Sequence, residues 1–270
     1  MTKFAAIQTV STPDVDRNLA AAGRLVAQAA AAGARWIALP EYFCLMGLRD
    51  DAKLAIAEAD GDGPIQRFLA DTAREHGITL IGGTLPILAS TPNRVRNACC
   101  VYGPEGTRVA RYDKIHLFAF DNGKEAYDEA RVLEPGDTPV AFERDGWRAG
   151  LSVCYDLRFP ELYRGLMRTP CDVLFVPAAF TYTTGLAHWL LLLRARAVEN
   201  QCYVVAPAQG GTHENGRRTF GHSVVIDPWG EVLSLALDGA EGEGFAIADL
   251  SHERIEQVRM QLPALRHRRL

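Results

Sequence analysis

The chain has 270 residues, of which 48% are hydrophobic and 23% charged, and it carries a net charge of −4. That length supports a sizeable core in one large domain or two small ones, with the composition of a soluble globular protein. With no long basic run and no apolar stretch of roughly 18 residues, the sequence speaks against nucleic acid, anionic membrane surfaces and bilayer spanning.

The start, Met1-Thr-Lys-Phe4-Ala-Ala-Ile-Gln8, lacks an apolar signal region with a cleavage site, so a cytoplasmic protein is expected. Residues 4–8 read as a short apolar strand. Residues 13–32 place Leu19, Leu25, Val26, Ala29 and Ala30 at helical spacing, and Gly33 stops them. Residues 36–40 read as a buried strand with Glu41 at its end. A helix over 65–76 ends at Gly77, and 79–83 is the next strand.

The rhythm then changes. Residues 97–102 and 107–112 flank Gly103-Pro104-Glu105-Gly106, which predicts a hairpin, and Lys114 lies just past its second arm. Residues 115–137 are long and irregular, the mark of a functional or mobile loop. A second hairpin turns at Asp145-Gly146. An apolar strand from Gly150 then ends in Cys154, followed by a polar turn and a helix over 160–168 opened by Pro160.

A strand over 172–177, a helix over 185–199 and a strand over 203–208 come next. A hairpin around Asp227-Pro228-Trp229-Gly230 joins 223–226 to 231–237. Residues 245–250 form the last strand, and Ser251 caps a final helix to about Leu262. No linker or repeat interrupts the run, so one domain over 1–270 is expected. Interleaved helices and apolar strands predict an α/β protein. The hairpins predict mixed sheets, arranged as a sandwich of two sheets with helices outside.

The cysteines are Cys44, Cys99, Cys100, Cys154, Cys171 and Cys202, and their spacing matches no zinc pattern. In a reducing cytosol they are thiols. Cys99, Cys100 and Cys202 lie in apolar runs and read as core; Cys171 gives no signal; Cys44 lies close to Glu41. Cys154 differs. A thiol at a strand-to-helix turn sits beside backbone N–H groups that lack partners, where an anion formed on attack is stabilised. Glu41, Lys114 and Cys154 each occupy the end of a predicted strand or the turn beyond it. Such ends converge at sites in α/β sheets. Singly, a strand-end Glu or a post-hairpin Lys reads as a solvated rim residue.

Other residues have plainer readings. His188-Trp189 begins a helix, where packing is the default and pocket lining the alternative. Arg194, Arg196 and Glu199 are spaced for internal ion pairs. Arg158 pairs with a nearby acid or meets a substrate carboxylate. His222 is structural. Gly82-Gly83 and Gly210-Gly211 are turns without phosphate-loop spacing. The Arg266-His267-Arg268-Arg269 run is a solvated patch or a carboxylate partner.

Three segments carry a resemblance to the carbon–nitrogen hydrolase (nitrilase) superfamily. Leu39-Pro40-Glu41 resembles its glutamate motif and Tyr112-Asp113-Lys114-Ile115-His116-Leu117 its lysine motif. Cys154-Tyr155-Asp156-Leu157-Arg158-Phe159-Pro160-Glu161 resembles its cysteine motif, and the likeness runs from Ala5 to Pro263. The downstream half is similar to the branch that holds deaminated glutathione amidases and omega-amidases.

The resemblance implies a four-layer α-β-β-α sandwich with two mixed sheets. It implies a cysteine hydrolase without metal or cofactor, acting on a small linear carboxamide through a thioester. Cys154 is then the nucleophile, Glu41 the proton shuttle, and Lys114 the oxyanion donor together with the Tyr155 backbone N–H. Lys114 is also expected to favour the thiolate. A second glutamate that holds Lys114 falls at Glu129 by its spacing to Pro135-Gly136, with Glu125 and Asp128 as alternatives. Ala119 and Ala130 depart from residues common in the family, which leaves the substrate open. Arg158 and His188 are candidates for binding it. The implied substrate is deaminated glutathione, with 2-oxoglutaramate and 2-oxosuccinamate as rivals. The resemblance also implies a homodimer or larger homo-oligomer, formed through helices of the Cys154 and Trp189 regions. Two rival classes are a catalytically silent binding protein and a redox-sensing thiol protein.

Overall fold

A computed structural model describes residues 1–121, 123 and 126–269. In chain order the first strands are β1 (Thr2–Thr9), β2 (Trp36–Ala38), β3 (Thr79–Ile81), β4 (Leu85–Leu88), β5 (Val95–Tyr102) and β6 (Arg108–Asp113). Then come β7 (Ala119–Asp121), β8 (Ala126–Asp128), β9 (Ala141–Arg144), β10 (Trp147–Leu151), β11 (Val173–Phe175) and β12 (Tyr203–Ala206). The last are β13 (Ala208–Thr212), β14 (Arg218–Phe220), β15 (Val224–Ile226), β16 (Val232–Leu235) and β17 (Gly244–Leu250). The helices are α1 (Val15–Ala31), α2 (Ala52–Ala55), α3 (Pro64–His76), α4 (Pro160–Leu166), α5 (Tyr182–Asn200) and α6 (His252–Gln261).

One sheet runs β14-β13-β1-β2-β3-β5-β4, with β17 also on β1 and β6 on β5; the other runs β16-β15-β12-β11-β10-β9. Both are mixed. β1, β2 and β3 pair in parallel, whereas β17 lies antiparallel to β1; β10, β11 and β12 pair in parallel, whereas β9 is antiparallel to β10. Along β1, Phe4 and Ala6 face the second sheet while Ala5 and Ile7 face α1 and α3. Both faces of β2, β11 and β12 are buried, so they read as continuous apolar runs rather than alternating ones. Between the sheets, Phe175 stacks on Trp36 with ring centres 6.0 Å apart and on Phe4 at 6.3 Å. Leu162, Tyr163, Trp189 and Leu193 of α4 and α5 cover the far side of the second sheet. The result is the expected α-β-β-α layering.

The helix ends follow local chemistry. Asp14 caps α1 by accepting from the Arg17 N–H, Pro64 opens α3, left-handed Gly77 closes it, and Ser251 caps α6.

One strand went unread in the sequence and four expectations need correction. Leu85–Leu88 is a strand despite Pro86, because β4 is the terminal strand of its sheet and tolerates a missing donor. Gly210-Gly211 lies inside β13, not in a turn. A Cβ on Gly210 would stand 2.7 Å from the Gln8 side chain, so glycine makes room for that residue. The 115–137 segment is not structureless; it holds the β7–β8 hairpin and a short 3₁₀ turn, Glu129–Arg131. β10 stops at Leu151, and Cys154 opens a 3₁₀ turn beyond it, Cys154–Arg158. His188-Trp189 lies well inside α5 rather than at its start. Among the described residues, no helix is long and apolar enough to cross a membrane.

Candidate active site

Three chain segments reach one place from the ends of strands. Glu41 follows β2. The Leu39 N–H donates to Ile81 O at 2.9 Å, the Gln209 side chain donates to Glu41 O at 3.1 Å, and Tyr42 turns away with φ +58°. The neighbouring loop passes so close that a Cβ on Gly83 would lie 2.2 Å from Pro40 O, and Gly83 itself has φ +56°. Lys114 follows β6, pinned by its N–H to Asn97 O (3.1 Å) and by the Gly136 N–H on its carbonyl (2.9 Å). A Cβ on Gly136 would lie 2.2 Å from Asp113 O, so only glycine lets that chain return against Lys114.

Cys154 sits on a strained elbow with φ +48°, its N–H donating to Pro177 O at 2.9 Å. Buried Asp156 holds the elbow together. Its carboxylate accepts from the Val153 N–H (2.8 Å), the Tyr112 hydroxyl (2.7 Å) and the His116 N–H (3.0 Å).

The charged groups form a closed set. Lys114 Nζ donates to Glu41 Oε1 at 2.9 Å and to both oxygens of Glu129, at 3.0 and 2.8 Å. Glu41 Oε1 also accepts from Asn97 Nδ2 at 2.9 Å. Glu129 accepts from the Tyr42 hydroxyl and the Phe118 N–H, each at 2.7 Å. Glu41 and Lys114 are each 1% exposed. Burial alone would lower the Lys114 pKa, but the Glu129 and Glu41 charges outweigh it and hold the ammonium above its ordinary range. Burial would raise the Glu129 carboxyl, but the Lys114 charge and its hydrogen bonds hold it below the usual range.

Burial, reinforced by the Glu41 charge, pushes the Cys154 thiol well above its ordinary value, against the pull of Lys114. A proton must therefore leave Cys154 before it attacks. All the cysteines are buried, and burial raises the others too, Cys100 and Cys171 to about 11 and Cys44 to about 12. What sets Cys154 apart is its setting: it shares a cavity wall with Glu41, Glu129, Tyr155, Arg158 and Arg217. That cavity is tight, about 10 Å³ of free space, and Phe118, Ala179, Phe180, Thr181 and Thr184 complete its lining.

The remaining candidates fall elsewhere. Asp128 caps the Glu129–Arg131 turn and pairs with Arg131, while Glu125 lies outside the described residues. Arg158 lines the cavity with no acid partner among the described residues. Its guanidinium rests over the Tyr155 and Phe180 rings and bonds His188 Nδ1 at 3.2 Å. The ion pair expected for Arg158 is absent because the groups around it are aromatic. His188 supports Arg158 instead of lining the cavity. Arg196 pairs with Glu199 at 2.8 Å, but Arg194 bonds the Gly230 carbonyl instead of an acid. His222 stacks on Phe220 away from the thiol, and Cys44 points its sulfur at the Thr84 carbonyl. Residues 266–269 are exposed. Among the described residues, no group of three or more His, Cys, Asp or Glu is arranged to hold a metal ion.

Sequence reasoning missed Tyr42, Asn97 and Gln209, which fix the acids, and Lys53 and Arg217, which stand at the cavity mouth. Nothing in their local sequence marks them; each acquires its role from a partner distant in the chain.

Comparison with known proteins gives the family. The carbon–nitrogen hydrolase family profile matches residues 3–260. The chain is 42% identical over 268 residues to a deaminated glutathione amidase of Synechocystis sp., covering 98% of this chain and 97% of that one. It is 38% identical over 273 residues to the omega-amidase NIT2 of Homo sapiens, covering 100% of this chain and 96% of the relative. Among solved structures, Saccharomyces cerevisiae Nit3, described as a nitrilase-superfamily member, superposes with a TM-score of 0.87. It is 30% identical and covers 97% of this chain and 94% of its own.

Proposed function

The chain belongs to the carbon–nitrogen hydrolase family, a hydrolase of carbon–nitrogen bonds other than peptide bonds, and from that premise we propose that it cleaves deaminated glutathione at Cys154. The observation that carries this reading is the Lys114 ammonium held between Glu41 and Glu129 beside a cavity that Cys154 also lines.

The chemistry follows from those groups. Glu41 takes the proton of the Cys154 thiol as sulfur attacks the amide carbonyl carbon, which balances the raised thiol. The carbonyl oxygen becomes an oxyanion facing Lys114 Nζ and the Tyr155 N–H in the first turn after the elbow. Glu41 returns the proton to the departing amine, the C–N bond breaks and a thioester remains. Glu41 then takes a proton from water, whose oxygen attacks the thioester; the acid leaves and the thiol is restored. Glu129 holds Lys114 in place and leaves Glu41 free to carry the proton. Arg158, beside the Thr181 and Thr184 hydroxyls, receives the carboxylate of the 2-oxo acyl group.

The tightness of the inner cavity favours a second reading, omega-amidase action on 2-oxoglutaramate, which carries the same acyl group on ammonia. Turnover of deaminated glutathione, 2-oxoglutaramate and a simple nitrile by the native protein and by Cys154→Ala tests both. Deaminated glutathione is expected to be the best substrate, with a thioester seen by mass spectrometry. Cys154→Ala should lose at least about 10⁴-fold in rate. Turnover of 2-oxoglutaramate alone would replace the first reading with the second. No turnover and no thioester would leave a silent binding protein.

The chain is also read as a homo-oligomer. Leu191 and Val198, seven residues apart on one face of α5, are 68% and 48% exposed, an apolar face that a second copy would cover. Light scattering that finds only a monomer would end that reading.

A further inference from the structure

Outside the Cys154 cavity lies a larger mouth of about 420 Å³, lined by Tyr42, Asp50, Lys53, Tyr127, Asn215 and Arg217 among others. Arg217 is the residue common to both spaces. Its Nη2 donates to Ala179 O at 2.8 Å, its guanidinium lies over the Tyr127 ring, and its buried Nε has no hydrogen-bond partner. Among the described residues no carboxylate pairs with it. Arg49, on the same rim, is already tied to Asp51, and Lys53 Nζ is held by the Asp50 carbonyl at 3.3 Å, 4.0 Å from the Asp50 carboxylate. Arg217 is thus a cation with spare donors at the passage from a narrow inner cavity to a wide outer one.

We propose that the mouth is the leaving-group subsite, in which Arg217, assisted by Lys53, binds a carboxylate carried on the nitrogen side of the scissile amide. The inference rests on the reading of Cys154 as nucleophile and names what that reading leaves open: the substrate class is an amide whose nitrogen bears an extended anionic group such as a dipeptide. The mouth, at about 420 Å³, has room for such a group, whereas the inner cavity is narrow and lined for the acyl side by Cys154 and Arg158. A guanidinium with an unpaired donor is suited to a carboxylate arriving with the substrate. The competing role for Arg217 is as a counter-charge to the Glu41–Lys114–Glu129 set. That role would affect every substrate alike.

Deaminated glutathione and 2-oxoglutaramate separate the two roles, because they deliver the same acyl group and form the same thioester. For Arg217→Gln, the ratio of kcat/KM for deaminated glutathione to kcat/KM for 2-oxoglutaramate should fall about 10- to 100-fold, the weight of one charge-assisted hydrogen bond. Lys53→Met should move the ratio the same way by less. A change on the substrate side needs no variant. Capping the terminal carboxylate of deaminated glutathione as a primary amide should lower its kcat/KM on the native protein by a similar factor, and Arg217→Gln should no longer distinguish capped from uncapped. An unchanged ratio in Arg217→Gln, or native protein indifferent to the cap, would overturn the subsite. Failure of the underlying reading looks different: no thioester forms from either substrate.

Discussion

The Glu41–Lys114–Glu129 cluster and the mouth around Arg217 both concentrate charge, but they are built on different parts of the fold. The inner cluster hangs from the ends of β2 and β6, and the turn that carries Glu129 is bonded back to it. Each of its acids has at least two donors, and its lysine is surrounded by acceptors. The mouth is made from α2, β8 and the loops around Asp50 and Asn215, its cations range from nearly buried Lys53 to exposed Arg49, and Arg217 keeps an unused donor. A closed set of bonds favours one geometry and therefore one chemistry; an open set waits for a ligand. On the readings proposed above, reaction type belongs to the inner cluster and leaving-group choice to the mouth.

Substitutions can break or sharpen that division. The largest effect is expected from Glu41→Gln, which keeps the shape and the hydrogen bond from Asn97 but removes the proposed base. Turnover should fall about 10²- to 10⁴-fold for every amide tested, with no change in selectivity. A selectivity change would mean that the inner cluster also reads the substrate.

Next comes Lys114→Met. It leaves two buried carboxylates without their cation and should cost about 3–5 kcal/mol in urea unfolding as well as activity. A variant as stable as the native protein would show that the cluster is not the closed electrostatic unit described above.

Glu129→Gln is milder and pH-dependent. The depressed Glu129 carboxyl adds stability that is full above the unfolded glutamate pKa of about 4.3 and is lost as pH falls through its lower folded value. Lys114, raised, adds stability that is full below about 10.4 and is lost as pH rises through its folded value. The stability gap between native protein and Glu129→Gln should hold steady between those limits and close below about pH 4. A gap that persists in acid would assign it to packing.

The smallest effect belongs to Arg131→Ala. Its partner Asp128 is also exposed, so urea unfolding should move by less than about 0.5 kcal/mol.

The two regions also differ in how far they could be read from the chain. The acid, lysine and thiol stand in short segments whose order and spacing carry the family resemblance, and their strand-end positions follow from hydrophobic patterning. The helices other than α2 were legible for the same reason, with Gly77 and Ser251 marking ends. Arg217 was not legible. It follows an ordinary Asn215-Gly216 turn, and its meaning comes from Ala179 and Tyr127, far away in the chain. β4 was hidden by Pro86 and β13 by Gly210-Gly211. In both, a residue that normally breaks a strand is tolerated for a tertiary reason: an edge position in one case and the Gln8 side chain in the other. The raised Cys154 thiol was hidden as well, since a cation nearby in sequence logic says nothing about how much water the fold removes.

The pairing of β1 with β17 has a consequence for how the molecule comes into being. Residues 2–8 zip antiparallel onto residues 244–250, so β1 gains this neighbour only after residues 9–243 have been synthesised. Contacts of such long sequence separation slow folding and leave an early apolar strand waiting with one flank open. A ribosome-stalled nascent chain ending before residue 244 should show rapid amide exchange in that strand; protection there would mean that another partner shelters it first.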